Sequence, residues 1–139
     1  MIETCIVLDI PILVHAGRSP QLSNSQPKLS GSQHFANIAR LYPEANIIMG
    51  HIGGGGDWQW QIKGIVDCPS IVCDMSGSVI DSPIIEEAVA LLGADRILFA
   101  TDGSYEAGVG KMLGANISEE DKVTILSGKA YERFLKRRA

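Results

Sequence analysis

Four side chains able to carry metal or proton chemistry stand at matching places in this sequence, each directly after a short apolar run. They are His15 after Ile-Leu-Val, His51 after Ile-Met-Gly, Asp74 after Ile-Val-Cys and Asp102 after Phe-Ala-Thr. Imidazole and carboxylate together suit Zn²⁺ or another divalent ion, and either group can move a proton beside an activated water. Taken singly, each has a plainer reading, a hydrogen-bonded histidine or an aspartate capping the next turn. Four in register are a stronger pattern, because the strand ends of parallel α/β folds converge on one ligand-binding face.

Other residues join this set with less force. Arg18 follows His15 by three residues and is a candidate for holding a substrate carboxylate, a solvated loop arginine being the equal alternative. Trp58 is a candidate pocket-lining residue, although Trp58 and Trp60 would by default pack a helix on the sheet. The run Gly53-Gly54-Gly55-Gly56 lacks the spacing of a nucleotide-phosphate loop and reads instead as a sharp turn after His51. His34 reads as an exposed residue at the start of a helix.

The elements that must position these groups are legible as alternating strands and helices. Apolar runs at Ile10–Val14, Asn46–Met49, Ser70–Cys73 and Arg96–Ala100 are continuous rather than alternating, as in parallel strands buried on both faces. Phe35, Ile38, Ala39 and Tyr42 have helical spacing closed by Pro43, and a weaker helix covers about Trp58 to Val66. Ser82 and Pro83 start another helix that Gly93 ends. The best-marked helix starts at Ser118, with Glu119, Glu120 and Asp121 in its first turn, and runs to the basic Lys136, Arg137 and Arg138. The reading is four βα units, with Arg18 to Ser32 as one long polar loop after the first strand.

Composition narrows the class. A chain of 139 residues, 45% hydrophobic and 20% charged, suits one folded domain over residues 1–139. Its net charge of −4 offers no positive field for nucleic acid or anionic lipid, and no apolar run approaches the ~18 residues of a membrane span. The N-terminal Met-Ile-Glu-Thr-Cys lacks the basic start of a secretory signal, so a cytoplasmic location is expected. Three cysteines, with Cys5 and Cys73 in apolar surroundings, read as buried thiols rather than a disulfide framework.

Together, Pro-Ile-Leu-Val-His15-Ala-Gly, Ile-Ile-Met-Gly-His51-Ile-Gly-Gly-Gly, Asp74-Met-Ser-Gly and Asp95-Arg-Ile-Leu-Phe-Ala-Thr-Asp102-Gly-Ser resemble the C-terminal half of the amidohydrolase-related (amidohydrolase 2) family of metal-dependent TIM-barrel enzymes. The resemblance implies that His15 and Asp102 bind the metal, usually zinc, and that His51 acts on the substrate or the activated water, with Asp102 also catalytic. Asp74 would orient a neighbour from the second layer. The implied activities are hydrolysis of cyclic amides or lactones, or non-oxidative decarboxylation of carboxylated rings and dienes. Two departures stand out: the family's His-x-His pair on its first strand occurs nowhere here, and Lys129 in Ser127-Gly128-Lys129-Ala130 stands where the family has asparagine.

Four βα units are half of an eight-stranded barrel, of which ~250 residues are typical. Half a barrel has two open edges, so self-association is expected, a two-fold homodimer closing eight strands being the attractive geometry. The expected partners are thus a small-molecule substrate and a second copy. The alternative is a non-catalytic half-barrel, a remnant or a subunit that needs a separate half carrying His-x-His. The start of the chain, Glu3 to Leu8, reads as the end of a preceding helix and hints at truncation.

Overall fold

The computed structural model describes residues 1–17, 30–52 and 57–135. Arg18, the glycines at 53–56 and the basic residues at 136–138 lie outside them. In chain order the elements are α1 (Ile2–Leu8), β1 (Ile12–His15), α2 (Ser32–Leu41), β2 (Ile47–Gly50), α3 (Trp58–Lys63), β3 (Ile71–Asp74), α4 (Pro83–Leu92), a 3₁₀ turn (Ala94–Arg96), β4 (Ile97–Leu98), α5 (Tyr105–Gly114), α6 (Glu119–Leu126) and α7 (Lys129–Leu135). The strands form one parallel sheet in the order β1-β2-β3-β4, as the continuous apolar runs imply. Ile12 pairs with Ile47, Ile47 with Ile71 and Cys73 with Ile97, which brings the strand ends His15, Gly50 and Asp74 side by side.

The local sequence explains most boundaries. Ser118 caps α6 by accepting the Asp121 N–H at 3.0 Å. Pro83 opens α4 and Gly93, at φ +86°, lies just past its end. Ser82 precedes α4 but makes no side-chain cap, because its own backbone is already helical and its hydroxyl is not aimed at the free N–H groups.

The end of the chain departs from expectation. The helix after β4 is α5, which the sequence pattern does not announce, and the expected single helix from Ser118 is two. Gly128, at φ +71°, breaks it between α6 and α7.

Alternate residues of each strand serve opposite faces of the sheet. Ile12, Val14, Ile47, Met49, Ile71, Cys73 and Ile97 join the main core beneath the helices. Cys73 is fully buried there, and burial pushes its thiol up to about 12, so it is inert packing. Cys5, expected to be buried, is half-buried.

The opposite face is covered in part only. Ala130 and Phe134 of α7 pack on Ile48 and Val72, with Leu98 beside them, whereas Leu13 on the β1 edge is 64% exposed.

Two polar clamps hold the layers in place. Buried Arg96 donates to the carbonyls of Ile65, Val66, Cys68 and Ile71, tying the approach to β4 to the loop before β3. Burial lowers its pKa, yet a guanidinium stays charged and its carbonyl partners meet that charge. Between α2 and α3, Gln61 accepts the Ser32 N–H at 2.7 Å and donates to Asp57.

Candidate active site at the strand ends

His15 ends β1 on the same face of the sheet as Leu13 and is exposed. Its carbonyl accepts the Ser30 hydroxyl, and Gly17 N–H donates to Ser30 O at 2.8 Å, so Gly17 and Ser30 are tied together beside it. His51 follows β2 directly. Its ring meets the His15 ring edge-on, with centroids 4.6 Å apart, and its Nε2 lies 3.9 Å from Asp102 Oδ2. Three of the four sequence candidates therefore converge on one spot.

The backbone there is unusual in a way that sequence cannot show. His51 has φ +66° and Asp102 φ +47°, left-handed values that side-chain-bearing residues seldom adopt. Asp9, the remaining non-glycine of this kind among the described residues, simply ends α1. Left-handed backbone at two residues whose side chains meet, one directly after β2 and one in the turn beyond β4, is a mark of functional sites, where position outweighs backbone cost.

Asp74 is buried and does not face the opening. Its Oδ1 accepts the backbone N–H of His51 at 3.1 Å and of Ser76 at 2.9 Å, and the Ser76 hydroxyl as well. Ser76 Oγ in turn lies 2.8 Å from His51 Nδ1. Gly77, at φ +97°, lets this turn lie against the imidazole, since a Cβ there would come within 3.1 Å of His51 Cβ. Beneath the turn, Lys111 of α5 is 2% exposed and donates to Met75 O. Burial lowers the pKa of its ammonium, and the charge of Asp74 works in the opposite direction.

Ser76, Gly77 and Lys111 escape the sequence reading. Asp74-Met-Ser76 after a strand is a recognisable Asp-x-Ser turn, whereas a lysine amid Gly108, Val109 and Gly110 carries no mark of burial.

The other candidates stand elsewhere. Trp58, at the start of α3, packs against the main core, and Trp60 is 75% exposed. His34 is an exposed residue of α2 whose Nδ1 accepts the Gly31 N–H at 3.0 Å. An open cleft of about 830 Å³ lies at the opposite ends of the strands, between Ala39, Arg40, Pro43, Pro69 and Phe134, away from the candidate site.

Two imidazoles and a carboxylate are the right donor types for a divalent ion. Among the described residues, however, no group of three His, Cys, Asp or Glu is placed to hold one. No helix among the described residues is long and apolar enough to cross a membrane.

Residues 1–120 match the family model described as Amidohydrolase. Among solved structures, a dihydroxybenzoic acid decarboxylase from Polaromonas sp. JS666, with bound manganese and the inhibitor 2-nitroresorcinol, is 25% identical at a TM-score of 0.66, covering 99% of this chain and 53% of that one. An amidohydrolase from Burkholderia multivorans with bound zinc is 13% identical at a TM-score of 0.65, covering 96% and 55%. An uncharacterized protein, y4mH of Sinorhizobium fredii (strain NBRC 101917 / NGR234), is 29% identical over 50% of this chain and 29% of its own length. The chain thus spans about half the length of these structures, and its four parallel βα units are half of a TIM barrel.

Proposed function

Because the chain belongs to the amidohydrolase family, we propose that it carries the C-terminal half of a metal-dependent active site for non-oxidative decarboxylation of a carboxylated ring or hydrolysis of a cyclic amide or lactone. The observation that carries this reading is the meeting of His15, His51 and Asp102, two of them on left-handed backbone. His15 and Asp102 are the chain's donors to the metal, Zn²⁺ or Mn²⁺, as in the solved relatives with bound manganese or zinc. Further donors come from the other half of the barrel, which a second copy supplies in the homodimer, since the described residues offer too few. A bound divalent ion would draw negative charge from a substrate carboxylate or carbonyl.

The protein groups supply the proton steps. In decarboxylation, a proton passes from His51 or Asp102 to the ring carbon that bears the carboxylate. The C–C bond then breaks, its electron pair returns to the ring and CO₂ leaves. In hydrolysis, His51 takes a proton from the attacking water and returns one to the leaving nitrogen or oxygen. Asp74 holds the His51 backbone in place, and Arg18, three residues after His15, is the proposed substrate contact, whereas Trp58 packs against the main core instead. The uncovered β1 edge with its exposed Leu13 supports closure by a two-fold homodimer, which would cover both. The incomplete donor set supports the second reading, a half-barrel that is silent until a separate half carrying His-x-His joins it.

The test is metal content by elemental mass spectrometry on untagged protein purified without chelator, together with molar mass by light scattering. One Zn²⁺ or Mn²⁺ per chain or per dimer, lost in His15→Ala, is the expected result. Metal-free monomer that gains no stability on adding either ion would overturn the homodimeric enzyme in favour of the silent half-barrel.

A further inference from the structure

We infer that Ser76 is a positioning residue that relays Asp74 to His51 and fixes the neutral imidazole as its Nδ1–H tautomer, leaving Nε2 with its lone pair toward Asp102. The inference follows from counting protons. Asp74 Oδ1 accepts two backbone N–H groups, from His51 and Ser76, so that oxygen carries no proton of its own. The single hydroxyl proton of Ser76 is therefore given to Asp74 Oδ1. With that proton committed, Ser76 Oγ can only accept at its 2.8 Å contact with His51, and Nδ1 must be the donor.

The relay is built rigidly. Asp74 and Ser76 are 6% and 5% exposed, and the Met75 carbonyl between them is held by the buried Lys111 ammonium. Gly77 lets the turn approach the ring this closely, since a Cβ there would lie 3.2 Å from His51 Nδ1. The catalytic meaning rests on the proposed function: an Nε2 that arrives unprotonated, 3.9 Å from Asp102 Oδ2, is set to receive a proton first or to bind a metal.

The chain contains an internal reference. His34 Nδ1 accepts a backbone N–H, so His34 must be the opposite, Nε2–H tautomer. The experiment is long-range ¹⁵N–¹H correlation on histidine-labelled, chelator-treated protein at about pH 8.5, above the ordinary imidazole pKa of about 6.5, with His34→Asn and His51→Asn for assignment. His51 should show the Nδ1–H pattern and His34 the Nε2–H pattern. Ser76→Ala should convert His51 to mainly Nε2–H while His34 stays unchanged, and Ser76→Thr, which keeps the hydroxyl, should restore Nδ1–H.

An Nε2–H His51 in the wild type overturns the inference, as does Ser76→Ala that folds and keeps Nδ1–H, or Ser76→Thr that loses it. If Ser76→Ala does not fold, the wild-type and Ser76→Thr spectra still decide. The spectrum is read without substrate or metal, so its failure leaves the proposed activity standing, and an inactive protein leaves the tautomer standing.

Discussion

The two faces of the sheet have been solved to different degrees by the same four strands. Toward the helices, Met49, Ile71, Cys73 and Ile97 have no solvent exposure at all, and every strand contributes to one continuous core. Toward the would-be barrel interior, α7 covers Ile48 and Val72, while Leu13, one strand away, remains open. The difference is that the core between sheet and helices is complete within these four βα units. The interior face instead keeps its polar groups at the strand tips and an uncovered apolar edge, which is where a second half would have to arrive.

The sharpest test of this contrast is a pair of truncations followed by urea unfolding. Ile71→Ala should cost about 2–5 kcal/mol, and Leu13→Ala, at concentrations where the chain is monomeric by light scattering, less than about 0.5 kcal/mol. Equal losses would mean that the interior face is already covered in solution, as a stable dimer requires. Phe134→Ala comes next, at about 3 kcal/mol, because it uncovers Ile48 and Val72 together. A loss as small as that of Leu13→Ala would show that α7 does not seal the interior face.

The smallest effect concerns Lys111, a charge reaching beneath the Asp74 turn. Its folded pKa is lowered from 10.5, so below that lowered value both folded and unfolded chains hold the proton and the burial penalty is fully present. As pH rises through the lowered value toward 10.5, the unfolded chain binds more protons than the folded one, and stability is gained. The melting temperature of the wild type relative to Lys111→Met should therefore shift in favour of the wild type between pH 7 and about pH 10. A constant difference would mean that the ammonium is not desolvated.

Much of this contrast was legible from residue order, and the missing parts have physical causes. Apolar runs locate all four strands because burial on both faces leaves no polar alternation to confuse them. They also locate His15, His51, Asp74 and Asp102 at the strand ends, yet they give no distance between them. The helix α5 is hidden because Tyr105–Gly114 contains three glycines and no clean apolar stripe. Gly108 is favoured by packing, since a Cβ would sit 2.8 Å from Cγ2 of Thr101 in the segment before α5, and such a contact exists only once that segment has folded back on the helix. For the same reason the Ser76 relay joins residues 25 apart and has no local signature beyond its Asp-x-Ser turn.

The pinned stem of the loop after β1 has a consequence for how this site could change over time. With Gly17 bonded to Ser30, and Ser30 to the His15 carbonyl, the geometry of His15 is settled at the base, whatever chain lies between. Loop entropy grows only logarithmically, about 0.6 kcal/mol for each doubling of length. The bonds that hold the His15 carbonyl to Ser30, and Ser30 to Gly17, thus insulate the end of β1 from a change of sequence or length between positions 17 and 30.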